Sequence, residues 1–250
     1  MRFTVLGSGT NVPDAERGPA GFLVSVQGQS WLVDGGSGTL QRCAATGVDP
    51  RSLVGGFYSH RHPDHTGDLV PLLFAMHASR RLADYPIYAG QGFQAFLDGL
   101  VGVYGRWIEL HPPATTIVTE LALDAPATVD LGALVVHTRP AVHSSGALHL
   151  RFEAEGRSVV FSGDTGPSEA LIELAAGADL LVTECAGSDA VPADQHLFPS
   201  AIADLVRRAR PREVWLTHLY EYVDVALAVA TIEDAGTVVR RAADGDVWSG

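Results

Sequence analysis

Apolar runs of four to six residues alternate along the chain with glycine turns and with longer stretches of helical periodicity. The runs predict strands at Phe3–Leu6, Phe22–Val26, Trp31–Val33, Leu53–Tyr58, Ile87–Ala89 and Leu134–His137. Further strands are predicted at Leu148–Phe152, Ser158–Phe161, Leu180–Thr183, Glu213–Thr217 and Val238–Arg240. Val24/Val26 and Leu148/Leu150/Phe152 occupy alternate positions, the pattern of strands with one face in a core. Helices are predicted at Gly38–Thr46, Asp64–Ser79, Gln91–Val103, Ser168–Ala176, Ser200–Ala209 and Tyr222–Ala230. Pro167-Ser168 and Pro199-Ser200 supply starts, and Gly47, Gly177 and Pro211 supply stops. Residues 111–130, rich in Pro, Thr and Ala, read as a surface connection within one domain, because they lack the Gly/Ser content of a flexible linker. No internal repeat of fixed period is found.

Composition narrows the class. A chain of 250 residues with 46% hydrophobic content can bury a large core without disulfides. No apolar run approaches the roughly 18 residues of a spanning helix, so no membrane partner is expected. Met1-Arg2-Phe3-Thr4-Val5-Leu6-Gly7 reads as a first strand entering a turn rather than as a leader. Cys43 and Cys185 are too few for a disulfide framework and fit buried thiols in a reducing cytoplasm. All 17 basic residues are arginine, and the formal net charge is −12. That balance opposes non-specific capture of nucleic acid. The small clusters Arg80-Arg81, Arg207-Arg208 and Arg240-Arg241 read as solvated helix faces or ends.

The chemistry concentrates in His60-Arg61-His62-Pro63-Asp64-His65. The run follows a predicted strand, and His60 and His62 face one side if extended. Asp64 and His65 fall on the next turn. Imidazole nitrogen with carboxylate oxygen suits zinc, iron or manganese. A two-metal centre needs more ligands than one turn provides. His143, Asp164 and His218 each lie just past a predicted strand, where side chains can converge on one rim of a sheet. Taken singly they read as a loop histidine, a turn former in Gly163-Asp164-Thr165-Gly166 and a strand-end residue.

In order, His60, His62, Asp64, His65, His143, Asp164 and His218 resemble the ligand set of the metallo-β-lactamase-fold hydrolases. The likeness spans nearly the whole chain, from Leu6-Gly7-Ser8-Gly9-Thr10 through Val33-Asp34-Gly35-Gly36 to Leu216-Thr217-His218. It implies an α/β fold, an αββα sandwich of two mixed β-sheets flanked by helices, built by residues 1–250 as a single domain. It implies that His60, His62 and His143 hold one divalent ion, that Asp64, His65 and His218 hold a second, and that Asp164 bridges them. Zinc is the expected metal, with manganese and iron(II) as alternatives. Leu6-Gly7-Ser8-Gly9-Thr10-Asn11-Val12-Pro13 and His196 resemble the ribonuclease Z-like phosphodiesterase branch. There His196 would assist phosphodiester cleavage, and Asp64 would orient the attacking water as well as hold metal.

Two departures shape the expected substrate. The tRNA-processing members carry a long arm between the third histidine and the bridging aspartate; here two predicted strands around Glu155-Gly156-Arg157 fill that interval. Similar cyclic phosphodiesterases of phosphonate breakdown carry an additional cysteine-rich metal site, which two cysteines cannot supply. The expected activity is therefore metal-dependent hydrolysis of a small or cyclic phosphodiester by hydroxide derived from metal-bound water. The alternatives are a lactonase or thioesterase, and a tRNA 3′-end endonuclease. A closed structural metal site would use four protein ligands, which disfavours a non-catalytic role. The redox branch of the superfamily needs a carboxylate where His62 stands. The resemblance also implies a homodimer.

Asp34 and Glu184 end predicted strands. Each could orient a ligating imidazole or cap its strand. Gly7-Ser8-Gly9 lacks the third glycine of a dinucleotide fingerprint, and Gly35-Gly36-Ser37-Gly38 lacks the lysine of a phosphate loop. His77, His111, His137 and His149 read as structural or solvated; Tyr58 and Tyr220, beside ligand positions, could face the substrate but read better as packing residues.

Overall fold

The computed structural model describes residues 1–192 and 194–250. Two seven-stranded sheets face each other. The first contains β1 (Arg2–Gly7), β2 (Gly21–Val26), β3 (Gln29–Gly35), β4 (Gly55–Tyr58), β5 (Tyr85–Gly90), β6 (Thr116–Leu121) and β14 (Val247–Ser249). Its order is β14-β1-β2-β3-β4-β5-β6. The second contains β7 (Ala127–Asp130), β8 (Val135–Pro140), β9 (Leu148–Ala154), β10 (Arg157–Phe161), β11 (Leu180–Glu184), β12 (Glu213–Thr217) and β13 (Val238–Arg241), in the order β13-β12-β11-β10-β9-β8-β7. Each sheet is antiparallel in one half and parallel in the other: β3-β4-β5-β6 run parallel, as do β10-β11-β12-β13. Helices α1 (Thr39–Ala45), α2 (Pro63–Thr66), α3 (Leu69–Ala78), α4 (Phe93–Tyr104), α5 (Glu169–Leu174), α6 (Pro199–Ala209) and α7 (Val225–Glu233) complete the sandwich. None among the described residues is long and apolar enough to cross a membrane.

The two-residue period of the strands sorts side chains into three apolar layers. Phe3, Val5, Phe22, Val24, Val33 and Phe57 of the first sheet meet Phe152, Val159, Phe161, Val182 and Trp215 of the second. Phe22 packs on Phe161 with ring centroids 4.8 Å apart, and Phe57 meets Phe152 edge-on at 5.5 Å. The intervening residues Leu23, Leu32 and Tyr58 point outward, to Leu69, Leu73 and Phe93 of the helices. On the other side Val160, Leu181, Val214 and Leu216 meet Ile202, Leu205 and Ile232. β2 is thus apolar on both faces rather than half-buried, which fits a strand covered from both sides. Tyr58 lies wholly inside, away from solvent, as a packing residue.

Several expectations change. Residues 111–130 are not only a connection: β6 adds to β5, β7 adds to β8, and the chain passes there from one sheet to the other. Both are edge strands with alternate positions in solvent, so their apolar signal is thin. β14 pairs with β1 through three residues, too few to register as a pattern. The single helix predicted at Asp64–Ser79 divides into α2 and α3, because Asp68 is tied elsewhere. Its N–H donates to the Gly35 carbonyl at 2.8 Å and its carboxylate accepts from Leu40 N–H at 2.9 Å. Of the arginine clusters, Arg207 and Arg208 lie on α6 near Asp204 and Glu169, but Arg240 sits in β13 with its guanidinium 3.7 Å from the Trp215 ring centre.

His149 is structural. It is fully buried, donates from Nδ1 to the Ser162 carbonyl at 2.6 Å and accepts at Nε2 from Ser168 Oγ at 3.1 Å. Burial pushes its pKa down to about 4. Above the unfolded value near 6.5 the ring is neutral in both states and carries no penalty. As pH falls from about 6.5 toward 4, only the unfolded chain takes up the proton, and about 3 kcal/mol of stability is lost. Urea unfolding of His149→Gln across that interval should show a flatter pH dependence than the unsubstituted protein; an unchanged slope would remove His149 as its source.

Candidate metal centre

The strand directions bring the chemistry to one edge. β10, β11 and β12 run parallel and deliver Asp164, Glu184 and His218 from their C-terminal ends. β3 and β4, also parallel, deliver Asp34 and the His60–His65 turn. His143 enters on the loop after β8. Glycine makes the approach of the layers possible. A Cβ on Gly36 would lie 2.3 Å from the Asp64 carbonyl oxygen and 2.5 Å from Pro19 Cβ, so only glycine lets this turn pass beneath α2.

All seven residues singled out as ligands come together. Ligand atoms of His60, His62, His143 and Asp164 lie within 4.8 Å of one another, and so do those of Asp64, His65 and His218. His143 Nε2 is 3.3 Å from His62 Nδ1. His218 Nε2 is 3.2 Å from Asp64 Oδ2. Asp164 faces both groups: Oδ1 is 3.4 Å from His65 Nε2, while Oδ2 is 3.8 Å from His60 Nε2, 3.9 Å from His143 Nε2 and 3.6 Å from His218 Nε2. His60, His65, Asp164 and His218 are buried, and His62 forms the exposed side. The Nε2 atoms of His60 and His65 are buried and make no hydrogen bond among the described residues. Buried nitrogens without partners, converging on a shared carboxylate, fit divalent-ion ligation.

The electrostatics divide the imidazoles. Burial holds His60 well below the usual imidazole range and also lowers His143, so both are neutral near pH 7 with lone pairs available. Burial opposes the charging of His65 and His218, but Asp164 overcomes it for both, helped by Asp34 at His65 and by Asp64 at His218. The carboxyl of Asp164 is held far below its usual range by His218 and His65 against its own burial.

Around this cluster lies a frame of hydrogen bonds. Asp34 accepts from His65 Nδ1 at 2.7 Å and from Ser59 N–H and Oγ, both at 2.7 Å. Of its two expected roles, orienting an imidazole is the one the geometry displays. Glu184 instead holds His196, whose Nδ1 lies 3.0 and 3.1 Å from the two carboxylate oxygens. It also accepts from Thr165 N–H at 2.6 Å and Ala186 N–H at 3.1 Å. The His196 ring stands 5.2 Å from that of His143 and nearly parallel to that of His218 at 6.2 Å. Asp34 and His218 both adopt left-handed backbone, with φ of 51° and 53°. Such positions cost about 1–3 kcal/mol each and persist where surrounding bonds hold them. Here His218 N–H donates to the Ser8 carbonyl at 3.0 Å.

Two supporting residues escaped the sequence reading. Arg61 donates to the Gly92 and Ser145 carbonyls at 3.1 and 3.0 Å, bracing the loops of His62 and His143 against each other. Asp244 accepts from Ser8 N–H, Ser8 Oγ and Gly18 N–H, each at 2.8 Å, and secures the 8–18 loop. That loop and the cluster border a cavity of about 820 Å³, lined in part by Asn11, Arg17, Arg42, His62 and Asp64.

Comparison with known proteins settles the family. The model of the β-lactamase superfamily domain matches residues 30–219. The ribonuclease Z of Mycobacterium bovis (strain BCG / Pasteur 1173P2) is 32% identical over 195 residues, covering 73% of this chain and 69% of that protein. The chain is a ribonuclease Z-like member of the metallo-β-lactamase-fold hydrolases. Solved structures agree on the fold. The metallo-β-lactamase fold protein YhfI from Bacillus subtilis superposes with a TM-score of 0.85 at 24% identity, covering 100% of this chain and 98% of that one. The short form of human tRNase Z gives 0.80 at 21% identity, with 100% and 99% covered.

Two outcomes follow from the geometry. Asp34→Ala should lower divalent-metal affinity about 10–100-fold, read by competition with a chromophoric chelator, because His65 loses its orienting acceptor. Unchanged affinity would reduce Asp34 to a strand cap. Since the carboxylates keep His65 and His218 charged above the usual imidazole pKa, metal binding near pH 7 should release protons. Calorimetry in two buffers of different ionisation enthalpy measures this; equal apparent heats would contradict it.

Proposed function

We propose that the protein is a phosphodiesterase acting on small or cyclic phosphodiesters through two divalent ions, zinc foremost. In this reading His60, His62 and His143 hold one ion, Asp64, His65 and His218 hold the other, and Asp164 bridges them. When bound, the ions supply Lewis acidity and a water acidic enough to serve as nucleophile near neutral pH. Asp64, less buried than His65 and His218, would also orient that water toward phosphorus.

The observation that carries the reading is the Glu184–His196 pair beside the cluster. The hydrogen bond that His196 Nδ1–H donates to Glu184 raises the pKa of His196. Its Nδ1 is engaged, and its side chain keeps 26% exposure. Nε2 is therefore the nitrogen left to face substrate, with a proton to give. An alkoxide leaving from phosphorus needs such a proton. Ribonuclease Z relatives support phosphorus over acyl carbon as the centre attacked. The interval from His143 to Asp164 supports a small substrate over tRNA. It contains the β9–β10 hairpin, where the tRNA-processing members carry their arm. The net charge of −12 points the same way.

Metal-loaded protein should hydrolyse bis(p-nitrophenyl) phosphate and leave a lactone and a thioester intact; the reverse would transfer the reading to acyl esters. A tRNA precursor in the same panel separates the endonuclease alternative, since 3′-end cleavage would favour it. His196→Ala should keep its metal and lose about 10²-fold or more in kcat. Glu184→Gln removes the group that raises His196, so the proton is lost at lower pH. The alkaline limb of kcat should shift toward acid, and an unmoved limb would take His196 out of the acid role.

A further inference from the structure

Beyond the cluster, two tyrosines form a shelf that the proposed chemistry does not use. The Tyr220 ring meets His218 edge-on at 5.8 Å. Tyr222 stacks on Tyr220 with centroids 5.5 Å apart and planes within 5°. Both rings are tethered: Tyr220 Oη donates to Asn11 Oδ1 at 3.1 Å, and Tyr222 Oη donates to the Ala186 carbonyl at 2.8 Å. Yet Tyr222 remains 67% exposed. A tethered, solvent-facing aromatic has lost its rotamer freedom in advance, which suits it to bind a flat ring. The pair borders a cavity of about 240 Å³ whose other walls include Thr10, Asp14, Glu221 and Arg241. Those polar groups suit the edges of a ring that itself bears donors and acceptors.

We propose that Tyr220 and Tyr222 are a stacking subsite for an aromatic ring carried on one ester arm of the substrate, resting on the phosphodiesterase reading above. Two ring-to-ring steps lead from His218 to Tyr222, so a ring several bonds from phosphorus reaches the shelf while the phosphate stays at the cluster. A nucleobase and a simple aryl group share this chemistry, and the nucleobase can add bonds to the polar walls.

Three diesters with the same leaving group test it: thymidine 5′-p-nitrophenyl phosphate, 2-phenylethyl p-nitrophenyl phosphate and methyl p-nitrophenyl phosphate. The two ring-bearing diesters should exceed the methyl diester about 10-fold in kcat/KM, mainly through KM. Tyr222→Ala should erase that preference and Tyr222→Phe should retain it. A further advantage of thymidine over phenylethyl identifies a nucleobase. Equal rates on all three, or a preference that survives Tyr222→Ala, overturns the subsite and leaves the phosphodiesterase reading standing. Hydrolysis of no diester overturns that reading instead. The shelf is then judged by saturation-transfer NMR with thymidine: ring-proton signals that weaken in Tyr222→Ala uphold it, and signals equal in both proteins or absent from both overturn it.

Discussion

The buried carboxylate of Asp164 is the interaction on which the rest depends. Its oxygens stand 3.4–3.9 Å from four imidazole nitrogens contributed by both ligand groups. Opposite unit charges at such distances interact by about 5 kcal/mol at an effective dielectric of 20. Remove the carboxylate, and burial again opposes the charge on His65 and His218, with only Asp34, Asp64 and Glu184 left to favour it. Burial and the charge on His65, whose ring centroid lies only 4.1 Å away, together keep His60 neutral although Asp164 favours its charging. A carboxylate that faces two groups of ligands also sets their spacing, so the two halves of the cluster cannot drift independently.

Holding that carboxylate in place is the work of the whole sandwich. Asp164 follows β10, and β10 lies mid-sheet, antiparallel to β9 and parallel to β11. It is the strand at which the second sheet changes direction. β3 plays the same part in the first sheet and carries Asp34. The two carboxylates that fix His65 from either side therefore descend from the two switch strands, one in each sheet. Phe22, Phe57, Phe152 and Phe161 pack between the sheets and fix the separation of those strands. A core substitution that lets the sheets slide would reach the cluster first through Asp34 and Asp164.

What could be read from the sequence follows from how local each signal is. The His60–His65 turn is visible because its residues are neighbours and the strand before it is apolar on both faces. His143, Asp164 and His218 carry no local pattern; their position past strand ends, in order, makes them legible. The role of Asp34 was half legible, since a strand-end carboxylate fits either a cap or an imidazole partner. Arg61 and Asp244 were not legible, because their partners lie 84 and 236 residues away and are backbone groups or small hydroxyls with no sequence signature. β6 and β7 escaped for a different reason: an edge strand needs only one covered neighbour, so polar positions are as many as apolar ones in both. The division between α2 and α3 depends on Asp68 binding the β3–α1 turn, a tertiary bond that helical periodicity cannot report.

The chain uses one device twice with different results. Asp34 engages Nδ1 of His65, and Glu184 engages Nδ1 of His196; both carboxylates are buried and both also accept backbone N–H donors. What differs is the far nitrogen. Nε2 of His65 points into a closed space toward Asp164 and Asp64, so the fixed ring has a lone-pair partner and no path to solvent. His196 keeps an open side, and its pKa is raised. An imidazole of fixed tautomer in a closed cluster suits a ligand, whereas the same imidazole at an opening suits a proton donor. Among the described residues His218 has no such partner, because its Nδ1 is buried without a hydrogen bond, and its left-handed backbone and bond to Ser8 set its direction instead. The 8–18 loop thereby positions a cluster residue and also lines the adjoining cavity. A change in that loop should therefore disturb substrate selection and the cluster together.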